Sequence, residues 1–316
     1  MKIDFSKPIE APVLFMVFNR PEKTEQVFNV IRSVKPKKLY VAMDHPRVGR
    51  SDDDENCAKV KSIVENVDWP CDTHYLYHPE NRGCTLAGKM AWDWFFSQEE
   101  EMIFLEDDGL PTKSFFYFTQ AMLQKYREDI RIAYVGGVNY GLKFGNASYF
   151  FSKLPAATYA MGTWKRVYDL YEYRLESFPE TANDPSFRKK FPDLTGYWMY
   201  MPQFWRYVRQ GGNTYDIQMI YLSYKYDMFS IAPNINMVSN IGLDGGANNC
   251  VDVKSERYRR LANRPRFEID EIGSPEMFFV DKKFERRWFD VRVLQGESRI
   301  KFLLKSFIKK CIGKLW

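Results

Sequence analysis

The chain has 316 residues, of which 45% are hydrophobic and 17% aromatic, so it is long and apolar enough to bury a large core. It has no apolar run near the roughly 20 residues that a membrane helix needs. Its first residues, MKIDFSKPIEAP, are too polar and too interrupted by proline for a signal peptide. These features exclude a disordered chain and predict a globular protein that stays in the cytoplasm.

The net charge of +5 comes from one end of the chain. Residues 299–316 contain six basic and no acidic side chains, and subtracting them from +5 leaves −1 for residues 1–298. A nearly neutral body argues against a nucleic-acid-binding protein. The cysteines are odd in number and form no C-x-x-C pair, so we expect free thiols and neither a disulfide framework nor a zinc site. They are Cys57, Cys71, Cys84, Cys250 and Cys311.

Up to about residue 136, short apolar runs alternate with segments of helical periodicity. The predicted strands are 12–18, 39–43, 73–77, 102–105 and 131–135, and the predicted helices are 22–34, 53–67, 85–96 and 113–127. This alternation predicts an α/β fold with a mainly parallel central sheet and right-handed crossovers. In such sheets, ligands bind at the carboxyl ends of the strands.

The second half is irregular and aromatic. We expect a helix opening at 162–168, a loop at 179–192, a helix over the stretch that holds Trp198 and Trp205, and a strand at 228–232. Aromatic residues at helical spacing more often belong to a core than to a binding surface. Here their number leaves some free to stack on a sugar, because Trp and Tyr offer flat apolar faces with a polar group. Trp164 and Trp198 are the acceptor-binding candidates.

Polar residues follow three of the predicted strands. They are Phe18-Asn19-Arg20-Pro21 after the first, Asp44-His45-Pro46-Arg47 after the second and Glu106-Asp107-Asp108, followed by a Gly-Leu-Pro turn, after the fourth. An Arg can grip a diphosphate, an Asp can accept from a base N–H, and adjacent carboxylates can share a divalent cation with phosphate oxygens. Two alternatives stay open: the acidic triplet as a solvated turn, and Asn19 to Pro21 as a simple helix start.

No G-x-G-x-x-G follows the first strand, and no G-x-x-x-x-G-K-[ST] occurs, which weakens the dinucleotide-binding and P-loop alternatives. Seven segments instead resemble, in the same order, bacterial nucleotide-sugar glycosyltransferases of GT-A fold similar to N-acetylglucosaminyltransferase I. The segments are VFNRPEKT at 17–24, VAMDHPR at 41–47, ENRGCTLAGKMAWDWFF at 80–96, IFLEDDGLPTKSFFYF at 103–118, MGTWKRVYD at 161–169, YDIQ at 215–218 and SNIGLDGGANNC at 239–250.

The resemblance implies roles for individual residues. Phe18, Asn19, Arg20 and Asp44 would face the nucleotide, Arg82 the diphosphate, Glu106 and Asp107 the ribose or sugar, and Asp108 an Mn²⁺ or Mg²⁺ ion. Asp216 would be the base of an inverting transfer, since inversion needs a group that deprotonates the acceptor opposite the leaving diphosphate. The alternative for Asp216 is an N-cap of a helix over 217–225.

One departure from the family pattern concerns residues 248–250. Related sequences place a His in a T-H-C-like triplet, where this chain has Asn248-Asn249-Cys250. If that His helps to hold the metal or diphosphate, Asn249 is a weaker substitute, and metal affinity or donor specificity would change. The chain's own histidines, His45, His74 and His78, lack ligand spacing and are expected at the surface or at strand ends.

The tail at 299–316 has helical amphipathicity. One face carries Ile300, Leu303, Leu304, Phe307, Ile308, Cys311 and Leu315, with lysines on and beside the other. This pattern is typical of an interfacial helix on an anionic membrane, with Trp316 as an anchor. The alternative is a helix packed on the protein's own core.

These interpretations combine into one functional prediction. A GT-A domain at 1–290, with a nucleotide-sugar-binding half (1–136) and an acceptor-binding half (137–290), would precede a basic tail at 291–316. The expected activity is metal-dependent, inverting transfer from a UDP-sugar to a saccharide or lipid-linked saccharide in bacterial surface polysaccharide synthesis, at the inner face of the cell membrane. A nucleotidyltransferase is the rival enzyme, but FNRPEKT lacks the glycines that its loop needs. A catalytically impaired nucleotide-sugar-binding scaffold is the rival from another class.

Overall fold

The first half of the chain builds the parallel part of a large sheet. The computed structural model describes residues 1–142, 146–154, 157–212, 214–243, 261–278, 280, 282–294 and 296–311. The first elements are β1 (Val13–Val17), α1 (Pro21–Val34), β2 (Lys38–Met43), α2 (Ser51–Glu65), β3 (Asp72–Tyr77), α3 (Gly83–Phe96), β4 (Glu101–Glu106), β5 (Gly109–Pro111), α4 (Lys113–Lys125) and β6 (Ile132–Gly136). Every strand and helix predicted up to residue 136 is present within two residues of its expected ends.

The second half adds strands to the same sheet and several helices. Its elements are β7 (Tyr149–Ser152), β8 (Ala160–Trp164), α5 (Lys165–Tyr168), α6 (Phe178–Thr181), a 3₁₀ turn (Phe187–Lys190), α7 (Leu194–Gln210), α8 (Asp216–Lys225), β9 (Phe229–Pro233), β10 (Val238–Asn240), α9 (Lys282–Phe289), a π-helical turn (Asp290–Leu294) and α10 (Arg299–Cys311).

The large sheet has the strand order β3-β2-β1-β4-β8-β6-β9-β7. Strands β3, β2, β1 and β4 are parallel, and β9 is parallel to β6. Strand β8 is antiparallel to both β4 and β6, and β7 is antiparallel to β9. The predicted α/β class with a mainly parallel sheet is confirmed. Both halves of the chain contribute strands to this one sheet.

The centre of the sheet is apolar on both faces. Consecutive residues Val13, Leu14 and Phe15 of β1 are all buried, and so are Ile103, Phe104 and Leu105 of β4. Successive side chains of a strand point to opposite faces, so helices must cover both sides of these strands. The continuous apolar runs in the sequence therefore mark strands of the sheet interior.

Two sequence predictions are corrected by strand pairing. The segment 162–168, expected to open a helix, supplies the end of β8 and only then the single turn α5. At Gly162 a Cβ would lie 2.4 Å from Thr119 Cγ2, so the close packing of α4 on β8 needs a glycine there. The expected Gly-Leu-Pro turn forms β5, which pairs with β10 in a small second sheet.

The C-terminal helix α10 lies on the protein through one of its faces. Arg299 forms ion pairs with Asp193 at 2.7 Å and Asp290 at 2.9 Å, and Phe302 packs against the core. The alternative interpretation of the tail therefore holds for that face of α10. Trp316 and the rest of 312–316 lie outside the described residues. In the parts of the chain that the structure describes, no helix has the length and apolar character needed to cross a bilayer.

The cysteines agree with the expected free thiols. No disulfide joins the four described cysteines, which are Cys57, Cys71, Cys84 and Cys311. Cys250 lies outside the described residues.

Candidate functional site

Two adjoining cavities open at the carboxyl ends of β1, β2 and β4. The strand-end cavity, about 370 Å³, is lined by Phe18, Asn19, Arg20, Asp44, Arg47, His78 and Asp107, among others. The aromatic cavity, about 770 Å³, is lined by Tyr140, Tyr159, Tyr200, Tyr207, Asp216 and Trp288, among others. Cys84, Glu106, Asp108 and Tyr215 line both cavities. The acidic triplet thus stands at the boundary between them.

An arginine and two carboxylates meet at this boundary. Arg20 Nε donates to Asp107 Oδ2 at 3.1 Å, and a terminal nitrogen of the same guanidinium donates to Asp107 Oδ1. The other terminal nitrogen donates to Asp108 Oδ2 at 2.9 Å. Parallel pairing of β1 with β4, in which Met16 lies beside Glu106, brings the two strand ends together. The predicted convergence of these residues is therefore seen in the structure.

The cluster is buried, and its charged groups shift one another's pKa values. Burial alone would lower the pKa of the Arg20 guanidinium, but the carboxylates of Asp107 and Asp108 outweigh it, and the net pKa is raised. Burial and the charge of Asp108 raise the pKa of Glu106 to about 8, although Tyr215 donates a hydrogen bond to Glu106. Burial also raises the pKa of Asp107, although Arg20 opposes that rise, so the buried triplet disfavours carrying three negative charges at once.

Asp108 has the donor atom that a divalent cation needs. Its Oδ1 is buried and has no hydrogen-bond partner among the described residues. A buried carboxylate oxygen without a partner is costly, and a hard cation would satisfy it. The described residues contain no group of three or more His, Cys, Asp or Glu in metal-binding positions. Mg²⁺ commonly takes one or two protein carboxylates and completes its shell with water and phosphate. The residues present fit such a shared ion.

A second network supports the far wall of the strand-end cavity. Asp53, in the first turn of α2, has no exposed surface and accepts from Asn19 Nδ2 at 2.6 Å. Arg47 donates to Asp53 through Nε at 2.6 Å and through a terminal nitrogen at 2.8 Å. The Arg47 hydrogen bonds, helped by the one from Asn19, lower the pKa of Asp53 to about 2. Asp53 is not among the site residues that the sequence predicts, because three adjacent aspartates lie in the first turn of α2 and nothing in their order shows which is buried.

Asp53→Asn is expected to lower the free energy of unfolding at pH 7 by about 1–3 kcal/mol, because it leaves Arg47 with an unpaired charge. The native pKa lies below the unfolded value of about 3.8, so the stabilisation from Asp53 is present above that value and disappears as the pH falls towards 2. Urea unfolding of both proteins should therefore show a gap that closes between pH 4 and pH 2. The exposed neighbour variant Asp52→Asn is the control, and a gap that persists at pH 2 would contradict the assignment.

Asp44 and Arg82 lie at the entrance of α3. The carboxylate of Asp44 lines the strand-end cavity and accepts from the backbone N–H groups of Arg82 and Gly83, both at 2.9 Å. The Arg82 side chain instead pairs with Glu80 at 2.5 Å and lines neither cavity. The structure thus places the backbone of Arg82, rather than its guanidinium, beside the predicted nucleotide site.

Asp216 is the first residue of α8 and lines the aromatic cavity. Its carboxylate accepts from the Thr214 hydroxyl and makes no cap hydrogen bond to the helix, for which Tyr215 occupies the N-cap position. The alternative interpretation of Asp216, as the N-cap of α8, therefore does not hold. The Tyr215 hydroxyl donates to Glu106, which ties the start of α8 to the acidic triplet. Asp216 is one residue from this tie.

The segment after β10 crosses the acidic triplet. Ile241 N donates to the Asp108 carbonyl at 2.9 Å, and a Cβ added at Gly242 would lie 2.0 Å from Asp108 Oδ2. Gly242 is therefore needed for this close approach. In the sequence, the glycine of the SNIG segment is only a weak indication of such a contact. The expected His position, Asn249, and its neighbours Asn248 and Cys250 lie outside the described residues.

The two tryptophans proposed for acceptor binding do not line either cavity. Trp164 is only 2% exposed and donates from Nε1 to the Leu123 carbonyl at 3.2 Å, which makes it a core residue of β8. Trp198 lies on α7 with the Lys310 ammonium 5.6 Å from its ring centre. The aromatic side chains that line the aromatic cavity, such as Tyr159 and Tyr200, lie at other positions, which the periodicity of the sequence does not distinguish from core positions.

The three histidines occupy different environments. His78 directly follows β3, which agrees with the expected strand-end position. It is buried, at 5% exposed, lines the strand-end cavity and has a buried Nε2 without a partner among the described residues. Burial lowers its pKa and favours the neutral ring. His45 is exposed, and His74 stacks on Tyr40 with ring centres 4.5 Å apart.

No family model and no curated protein matches the chain. It is similar to a crystal structure of residues 1–349 of TarS from S. aureus, with 12% identity and a TM-score of 0.36, over 52% of this chain and 51% of that one. It is also similar to UDP-glucose pyrophosphorylase complexed with UDP-glucose, with 9% identity and a TM-score of 0.37, over 73% of this chain and 93% of that one.

A third similar structure is 4-diphosphocytidyl-2C-methyl-D-erythritol synthase from Anaerococcus prevotii, with 14% identity and a TM-score of 0.33, over 54% of this chain and 76% of that one. The chain thus spans about half of the TarS structure and more of the other two. At these identities the likeness concerns the fold alone.

Proposed function

We propose that the protein is a metal-dependent inverting glycosyltransferase that moves a sugar from a nucleotide-diphosphate donor to a saccharide or lipid-linked saccharide. The observation that carries the proposal is the acidic triplet standing between two cavities, with Arg20 on one side and Asp216 on the other. A sugar bound across that boundary would have its leaving group in the strand-end cavity and its acceptor in the aromatic cavity. Bacterial surface polysaccharide synthesis is the expected pathway from the sequence resemblance.

The strand-end cavity is the proposed donor site. Its walls carry an aromatic ring from Phe18, amide and carboxylate groups from Asn19 and Asp44, and the Arg20 guanidinium, which can pair with diphosphate oxygens. Asp108 would hold Mn²⁺ or Mg²⁺ together with the diphosphate. Such an ion, when bound, stabilises the negative charge that develops on the leaving group. A UDP-sugar is the proposed donor, on the sequence resemblance.

The aromatic cavity is the proposed acceptor site. Tyrosine rings such as Tyr159 and Tyr200 can stack on sugar faces and donate hydrogen bonds to hydroxyls. Asp216 would accept the proton of the attacking acceptor hydroxyl on its carboxylate. Inversion requires this base on the face of the sugar opposite the departing diphosphate. Its place beyond the boundary, in the aromatic cavity, supports that assignment.

The proposal is tested with the unmodified full chain. A thermal-shift screen of nucleotide-sugars with Mn²⁺ should raise the melting temperature for one donor, because a ligand that binds only the native state stabilises it. Incubation with that donor should release nucleoside diphosphate, and NMR of the product should show inverted anomeric configuration. Pyrophosphate release from a nucleoside triphosphate and a sugar phosphate would instead identify a nucleotidyltransferase. Donor binding without turnover would identify the scaffold alternative.

We also propose that the enzyme works at the inner face of the cell membrane. The ground for this proposal is the surface of α10, which is separate from both cavities.

A further inference from the structure

The helix α10 has two different sides. The inner side lies on the protein: Phe302 and Ser306 face inward, and Arg299 is held by Asp193 and Asp290. The principal contacts of α10 are with α7. Arg299 also donates to the Arg286 carbonyl at 2.8 Å, which ties the helix start to α9. This side already has its partner.

The outer side carries an apolar stripe. Its members recur every three or four residues and therefore lie along one line of the helix. Large apolar side chains here are more than half exposed: Ile300 at 71%, Leu304 at 57%, Phe307 at 58% and Ile308 at 56%. Cys311 continues the line and is also exposed. These five residues form the outward stripe. A contiguous exposed apolar surface of this kind usually marks an interaction site.

Lysines border the outward stripe on both edges. At 100° per residue, Lys301 and Lys305 fall on one side of the stripe and Lys310 on the other, while Lys309 lies nearly opposite the stripe. Lys305 pairs with Glu297 at 2.5 Å, and Lys310 lies near the Trp198 ring. Between Arg299 and Cys311 there is no acidic residue. An apolar strip between cationic edges is complementary to an anionic bilayer, where acyl chains lie beneath negative headgroups.

We propose that α10, in its docked position, is a preformed surface that binds anionic lipid bilayers through the outward stripe. The helix need not leave the protein to bind, because its inner side already rests on α7. The wall of the aromatic cavity includes Met199, Gln203 and Arg206 of the same helix α7. Binding would thus place the lipid next to α10 and α7, the helix that supplies part of the wall of the aromatic cavity. Delivery of a lipid-linked acceptor rests on the proposed function, whereas the lipid contact itself does not.

The test is flotation of the full chain with phosphatidylglycerol-containing vesicles and with pure phosphatidylcholine vesicles. The unmodified protein should float with the anionic vesicles and not with the neutral ones. Phe307→Glu/Ile308→Glu should weaken binding by about 100-fold or more, since it removes two apolar anchors and adds repulsion. Lys301→Gln/Lys310→Gln, with one lysine from each side of the stripe, should weaken it by about 30-fold, and added salt should mimic that loss.

The variants have a built-in control and a folding check. Ile130→Glu changes an apolar residue outside α10 that is even more exposed, at 74%, and this variant should bind vesicles like the unmodified protein. All substituted side chains point outward, so melting temperatures should agree between variants. Deletion of the helix is a poorer test, because it would uncover α7.

Three results would overturn the proposal. The unmodified chain could fail to float with anionic vesicles, or the Phe307→Glu/Ile308→Glu variant could float as well as the unmodified chain. The third result is a dimer in sedimentation velocity that this variant abolishes, without vesicle binding, which would assign the outward stripe to a second copy of the chain. The flotation uses no nucleotide-sugar and the donor screen uses no vesicles, so the glycosyltransferase activity and the lipid contact can fail separately, while the membrane location fails with the lipid contact.

Discussion

Asp108→Asn is expected to abolish Mn²⁺-dependent binding of the nucleotide-sugar while the protein stays folded. Asp108 has a buried oxygen, Oδ1, with no protein partner among the described residues. An amide in its place presents one neutral oxygen at most and removes the charge that attracts the ion. Outer-shell changes at metal sites typically cost 10–100-fold in affinity, so loss of a direct ligand should cost about 100-fold or more.

The fold should survive this change. Arg20 keeps both of its hydrogen bonds to Asp107, and one source of carboxylate repulsion within the triplet disappears. Titration calorimetry with and without Mn²⁺ measures the effect, and Asp54→Asn on the exposed side of α2 is the matched control. Unchanged donor affinity in the presence of Mn²⁺ would refute the role of Asp108 as metal ligand.

Asp216→Asn is expected to slow sugar transfer by about 100-fold or more, the scale that general bases typically contribute. Donor affinity should stay within a few-fold, because Asp216 lines the aromatic cavity and not the strand-end cavity. Asparagine can still accept from the Thr214 hydroxyl, so the start of α8 should keep its structure. Single-turnover transfer to a soluble acceptor, beside calorimetry of donor binding, separates the two quantities.

The control for this experiment is Thr214→Val. It removes the hydrogen bond to Asp216 but leaves the carboxylate in place, so a much smaller loss of transfer is expected. If Asp216→Asn transfers sugar at nearly the rate of the unmodified protein, Asp216 is only the first residue of α8 and another group takes the proton.

The parallel half of the fold could be predicted because its strands are continuous apolar runs and its helices have clear periodicity. The part of the site that is formed by strand ends could be predicted from this fold. Arg20, Asp107 and Asp108 meet because β1 and β4 are neighbours. Local pattern and sheet geometry were sufficient there.

Features that depend on distant partners were not predicted. The segment that becomes β8 has no strand signature of its own, and its pairing with β4 and β6 decides its conformation. Burial of Asp53 depends on Arg47 and Asn19, which reach it from two other strand ends. The prediction of Trp164 as an acceptor-site residue is wrong because the sequence gives the type of a side chain but not whether it points into the core or into a cavity.

The position of β8 has a consequence for how the chain folds during its synthesis. This strand separates β4 from β6, although both precede it in the sequence. A nascent chain that has emerged only to residue 136 therefore has two buried strands without their common neighbour. Unpaired apolar strand edges recruit other chains, and domains built from such long-range pairings fold slowly. Expression of the first 136 residues alone would thus yield an aggregation-prone sheet with an open edge rather than a smaller working domain.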